Sequence, residues 1–214
     1  MICDFLDSNF FQTCILILTA GITWWIYRSR KKKELQNAVT ILLLQIEDIE
    51  KNIEFLDSEG LVGGVIQEKA IHYSAVIYDE NNWTKYSHLI VGRISQLAFE
   101  NIDKFFKVAQ RIREQQLMIK DRLQQSMAYK GMYYYNGIYT RVNSMLDKQD
   151  SDIRQNKELC QAEINFIKSL YSDSITDVPS FIQLELVFGL EKCLKQYSKL
   201  TDGAAYVELR KLQK

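Results

Sequence analysis

The sequence predicts an all-α protein, with one N-terminal transmembrane helix followed by a cytoplasmic helical bundle. Three observations carry that prediction. Glycine and proline together supply only 10 of 214 residues, too few for a turn-rich β-sandwich, a collagenous repeat or a low-complexity chain. An uncharged run over residues 8–27 stops abruptly at a basic cluster. Beyond it, apolar residues recur at steps of three and four, the period of a helix face. Apolar content of 47% beside 25% charged residues also argues against disorder.

The zero net charge, 27 basic against 27 acidic residues, hides an uneven layout. Residues 1–27 carry only Asp4 and Asp7, whereas Arg28, Arg30, Lys31, Lys32 and Lys33 follow within six positions. Residues 34–214 hold 22 basic and 25 acidic side chains, a net −3. A field of that sign does not gather phosphates, so no direct nucleic-acid binding is expected.

Residues 1–7 read as a short external N-terminus and residues 8–27 as the transmembrane helix. Twenty residues at 1.5 Å each reach about 30 Å, the thickness of a hydrocarbon core. The acidic start and the lack of a small-residue cleavage site argue against a signal peptide. Trp24, Trp25 and Tyr27 read as membrane-interface anchors, together with Arg28, Arg30, Lys31, Lys32 and Lys33 in the basic juxtamembrane run, 28–33, which reads first as a topology signal and second as a lipid-headgroup or phosphoinositide site. Positive charge on that side places residues 34–214 in the cytoplasm, below a single-pass inner membrane protein. Gln12, Thr19 and Thr23 share one helical face, with Leu16 between them. Such a stripe suits a pore lining or helix–helix packing, and its chemistry leaves an indifferent anchor open as well.

Next comes the clearest periodicity in the chain. Leu35, Val39, Leu42, Ile46, Ile49, Ile53 and Leu56 alternate steps of four and three, a heptad seam over three heptads. Ile41 and Leu43 widen the stripe toward that of a bundle helix. The seam must be buried, against the rest of the bundle or against further copies, and reads as an assembly seam. Neither Gly nor Pro separates it from the preceding apolar run, so one helix can carry both. The glycine-rich stretch 60–64 reads as a flexible turn, because no Gly-Lys-Ser/Thr follows. Asp79, Glu80, Asn81 and Asn82 look like a helix N-terminus. From Trp83 to about Lys130 the pattern predicts one very long helix, or two with a bend, with Gly92 and the polar tract 111–116 as weak points. Tyr133, Tyr134, Tyr135 and Tyr139 could stack on a nucleobase, but read more readily as a helix turn whose aromatics close the bundle end. Further helices are expected over 152–171, 181–197 (opened by Pro179) and 204–212.

Catalytic motifs are missing. Cys160 and Cys193 read as reduced core thiols. His72 and His88 form no metal cluster, and no nucleophile elbow, Walker loop or dinucleotide fingerprint occurs. The sequence therefore predicts no enzyme and implies no cofactor.

The layout of uncharged run, basic Arg28-Ser29-Arg30-Lys31-Lys32-Lys33 and heptad-bearing bundle resembles the small accessory membrane proteins of type VI-B CRISPR systems, a group with a divergent HEPN-like helical bundle. HEPN ribonucleases are marked by Arg, four to six residues, then His. No arginine stands at that distance before His72 or His88, so nuclease activity is not carried over. The resemblance implies a ring of bundles that gathers N-terminal helices into a membrane pore and assists an RNA-guided nuclease in antiviral defence. Three functional readings follow: an oligomeric pore-forming or membrane-perturbing effector, a membrane-anchored scaffold or sensor for a partner protein, and a degenerate HEPN-type ribonuclease.

Overall fold

A computed structural model of the chain describes residues 9–147, 161, 162, 165 and 182–213, with side chains from Thr13 onward apart from 133, 134, 138 and 141–147. The expected external N-terminus 1–7, Ser8, the Gln12 side chain, Cys160, Pro179 and most of the helix expected over 152–171 lie outside the described residues.

The uncharged run and the heptad seam form one helix, α1, Asn9–Phe55, of 47 residues. It ends in a π-helical turn, Leu56–Gly60, followed by two-residue strands β1, Leu61–Val62, and β2, Val65–Ile66. They pair antiparallel, Leu61 opposite Ile66 and Val62 opposite Val65. Gly63 and Gly64 turn the corner at φ +60° and +79°, which is why this turn needs two glycines. α2, Glu68–Tyr73, is short. α3, Asn82–Ile90, starts where Asn81 accepts the Thr84 N–H at 3.3 Å, as expected of that polar cluster.

The long helix predicted from Trp83 is two helices, and the break falls at Gly92 (φ +73°) rather than at the polar tract. Ser95 then caps α4, Gln96–Asp147, its Oγ accepting the Ala98 N–H at 3.2 Å. α4 runs for 52 residues, straight through the tyrosine cluster. Tyr135 and Tyr139 stack on its exposed surface with ring centroids 6.2 Å apart, so they are not in a turn closing the bundle end. α5, Leu184–Gln196, buries Leu186, Val187, Leu190 and Leu194 on one face. α6, Ala204–Lys211, ends on Arg210 and Lys211, which suit its C-terminal dipole.

The chain divides into two compact units. The first comprises Met1–Asp48, Glu80–Phe106 and Ser198–Lys214. Leu35, Val39, Leu42 and Ile46 of the seam are buried there, as are Trp83, Phe106 and Leu209. Trp83 stacks on Phe106 at 5.8 Å and donates its indole N–H to Asp103 at 3.1 Å, which joins α3 to α4. The Tyr206 hydroxyl donates to Glu47, joining α6 to α1.

The second unit comprises Ile49–Asp79 and Lys107–Tyr197. It buries the remaining seam residues, Ile49, Ile53 and Leu56, along with Ile71, Ile112, Ile119 and Leu190. The irregular segment 74–79 is held from two sides. Asn52 of α1 donates to the Val76 and Ile77 carbonyls at 3.4 Å. From α4, fully buried Gln116 donates to Ser74 Oγ at 2.9 Å and to the Ala75 carbonyl at 2.7 Å, and accepts the Ile77 N–H at 3.2 Å. Arg113 donates to the Tyr78 carbonyl at 2.7 Å, and Lys120 to the carbonyls of His72 and Ser74. The polar tract thus continues the helix and supplies the donors that a segment without ladder partners needs.

The expected transmembrane helix is not upheld. Among the described residues no helix is long and apolar enough to cross a membrane. Thr13, Thr19, Gly21 and Thr23 dilute the apolar stretch, and Arg28 and Arg30 follow in the same helix.

Candidate functional site

Among the described residues, nothing covers the front of α1. Ile15, Leu16, Ile17, Leu18, Ile22, Trp24, Trp25, Ile26 and Tyr27 are all exposed, Leu16 and Trp25 to 68%. At 3.6 residues per turn, four consecutive apolar residues, Ile15 to Leu18, go all the way round the helix. In the predicted stripe, the hydroxyls are satisfied locally. Thr19 donates to the Ile15 and Leu16 carbonyls at 3.0 and 2.9 Å, and Thr23 to the Thr19 carbonyl at 2.7 Å. A Cβ added at Gly21 would meet nothing within 4 Å. Both threonines are exposed, and no described element packs on them.

Directly behind this surface lies an open cleft of about 830 Å³ within the first unit. α1 supplies most of it: Trp24, Trp25 and Tyr27 from the aromatic group, Arg28, Lys31 and Lys32 from the basic run, then Ser29 and Leu35. Six of the eight predicted interface anchors meet here. Arg30 and Lys33 are exposed outside it. The aromatics organise the cations one turn on. Arg28 lies 5.2 Å from the Trp24 ring centroid and Lys31 lies 4.8 Å from that of Tyr27. A hydrogen bond with Tyr27 holds the Lys31 ammonium above its ordinary range, while Arg93 works in the opposite direction.

Arg93 and Leu212 complete the lining, and neither could be read from sequence pattern. Arg93 sits in the α3–α4 turn, after Gly92. That turn is fixed by α6, because the Glu208 carboxylate accepts the Ser95 N–H at 2.8 Å and the Ser95 hydroxyl at 3.0 Å. These two bonds hold the Glu208 carboxyl below its ordinary value. Leu212 is brought in by its neighbour Gln213, which donates to Thr40 Oγ1 at 3.1 Å and whose carbonyl accepts from Gln36 at 3.3 Å. Gly92 was the one visible signal, and it marked the break without saying what the turn faces.

The seam Leu35, Val39, Leu42, Ile46, Ile49, Ile53 and Leu56 is buried within the single chain, as one of its two expected burials requires. Cys14 and Cys193 are free thiols, and burial pushes the Cys193 thiol up, away from reactivity. Beside His72, a cavity lined also by Glu68, Lys69 and Lys130 offers only about 10 Å³, room for one water at most. Among the described residues no group of His, Cys, Asp and Glu could hold a metal. Comparison with protein-family models, curated proteins and solved structures finds no match to this chain.

Proposed function

We propose that the protein is a membrane-surface effector: a helical bundle that docks on an anionic bilayer face through the front of α1 and perturbs the headgroup layer as an assembly of copies. One observation carries this reading. Nine large apolar side chains between Ile15 and Tyr27 are exposed on a helix that continues into five cations within six residues. Exposed apolar patches of this kind mark interaction surfaces, and basic residues beside them favour anionic lipid. A bilayer interface covers one side of such a helix, and the apolar residues on its other sides favour packing against neighbouring copies.

Sedimentation with vesicles tests it. The full chain should pellet with phosphatidylcholine–phosphatidylglycerol vesicles and remain in solution with phosphatidylcholine alone. Each of Arg28, Arg30, Lys31, Lys32 and Lys33 changed to Gln should weaken binding about fivefold, from ~1 kcal/mol per cation near an anionic surface. Equal binding to both vesicle types, or to neither, overturns the reading.

A scaffold that binds a partner protein is favoured by a different observation: the Thr19 and Thr23 hydroxyls are satisfied by their own helix, so neither hinders protein packing. It predicts a discrete higher-mass particle without lipid. Work beside an RNA-guided nuclease in antiviral defence, which the resemblance implies, would use the same surface. It predicts depolarisation of cells only when both proteins are expressed.

A further inference from the structure

The basic run alone would attract any anionic surface, but the cleft is more than a run. Arg93 comes from a separate element, 60 positions on from Lys33, and reaches the same cavity as Arg28, Lys31 and Lys32. Among the described residues no carboxylate forms an ion pair with Arg28, Lys32 or Arg93. Glu34 acts on Lys31 at a distance, and Glu208, on the turn side, is occupied by Ser95. Like charges gathered around one cavity repel, and a ligand bearing more than one negative charge relieves that repulsion. Guanidinium groups pair bidentately with phosphate oxygens. Beside Ser29 and Tyr27, the remaining lining of Trp24, Trp25, Leu35 and Leu212 is mainly apolar, and it leads into the exposed front of α1.

We propose that this cleft is a binding site for the phosphomonoester headgroup of an anionic phospholipid, with Arg93 as the residue that distinguishes a phosphomonoester from a phosphodiester. A phosphomonoester carries between one and two negative charges near neutral pH, a diester one. Four cations around one cavity gain from the extra charge, whereas a row of lysines on a surface responds mainly to the average potential. The apolar lining accepts the glycerol and upper chain, which is why a lipid rather than a soluble phosphate is the occupant. This inference rests on the membrane-surface reading and adds a specificity to it.

The test compares vesicles of phosphatidylcholine mixed with phosphatidic acid or with phosphatidylglycerol, adjusted to equal surface potential. The wild-type chain should bind the phosphatidic acid vesicles about tenfold more tightly, the value of one additional charge-assisted bond. Arg93→Gln should remove most of that preference, weakening binding to phosphatidic acid vesicles by a clearly larger factor than binding to phosphatidylglycerol vesicles. Arg93 is exposed, so the variant should keep its helicity by circular dichroism. Equal wild-type affinity for both vesicle types at matched potential overturns the headgroup site and leaves the membrane-surface reading standing, and so does an Arg93→Gln effect of the same size on both. Binding to neither vesicle overturns both proposals. Displacement from phosphatidic acid vesicles by millimolar glycerol 3-phosphate as effectively as by dispersed short-chain phosphatidic acid overturns the assignment to a lipid.

Discussion

Ile17 and Ile46 are the same side chain on the same helix, yet Ile17 is 66% exposed and Ile46 is fully buried. The difference lies in their neighbours along α1. Around Ile46 the apolar residues keep to the four–three rhythm, and Glu47, Asp48, Lys51 and Glu54 fill the remaining positions, so one stripe faces the core. Around Ile17 the apolar residues run consecutively and leave no polar face to point outward. A helix of the first kind is completed by its own fold. One of the second kind stays exposed among the described residues, the surface that the membrane proposal assigns to lipid. The comparison teaches that apolar content and apolar periodicity answer different questions, one about interaction and the other about folding.

The comparison breaks most visibly under charge insertion. Ile46→Asp would place an unpaired carboxylate in a closed core and should cost about 4 kcal/mol or more, most of the stability of an ordinary domain. Ile17→Asp should shift the denaturation midpoint by under about 0.5 kcal/mol and weaken vesicle binding instead. Chemical denaturation of both variants decides the matter. Similar losses for the two would show that the front half of α1 is buried after all.

A second effect concerns the cover over the rear half. Gln116 satisfies Ser74, Ala75 and Ile77 at once, and Asn52 of α1 holds the same segment from the opposite side. Gln116→Leu is close in volume but leaves those three groups without their partner, at about 3 kcal/mol. Amide exchange should rise across 74–79 and along Ile49–Phe55, while the front half, already exposed, should not change. Unchanged protection of 49–55 would separate the segment from the burial of α1.

How much of this could be read in advance depends on how local the cause is. The seam was legible because burial imposes its period on the chain itself, and all seven residues are buried. Asn81 was legible because capping acts over three residues. Gln116 was not, since its tract looks like a solvated face until the partners 39 to 42 positions away are known. The bend had two candidates in sequence, Gly92 and the polar tract, and only the positive φ of Gly92 separates them. The transmembrane helix came from counting uncharged residues. Threonines, a glycine and the adjoining arginines make that count a poor measure of transfer energy. The cleft was half legible: its α1 side follows from sequence order, whereas Arg93 and Leu212 arrive only through the hydrogen bonds of Ser95 and Gln213.

Gly92→Ala should have a smaller effect. Nothing lies within 4 Å of the added Cβ, so the penalty is only that of φ +73° for an L-residue, about 1–2 kcal/mol. The turn should relax and carry Arg93 with it. Vesicle selectivity should therefore fall while the exposed front of α1 still binds lipid. A variant with full stability and full selectivity would show that the turn tolerates a side chain and does not position Arg93.

The smallest effect concerns the carboxylate that ties this turn to α6. Glu208 accepts two bonds from Ser95, and these lower its folded pKa below the ordinary value of 4.5. The fold therefore favours the ionised form. Its contribution is present above the ordinary value and is lost as pH falls through the folded value, once the carboxyl is protonated in both states. Glu208 is solvent-exposed, so the effect is screened by water and salt, and the difference between variants is more informative than its size. The thermal midpoint of wild type should exceed that of Glu208→Gln at about pH 7, and the gap should close in acid as the pH falls through the lowered folded value. Added salt should narrow the gap at pH 7 without removing it, because the Ser95 bonds are short-range. A gap that persists unchanged in acid would mean that the Glu208 side chain stabilises the turn by shape rather than by charge, and that the position of Arg93 does not depend on protonation.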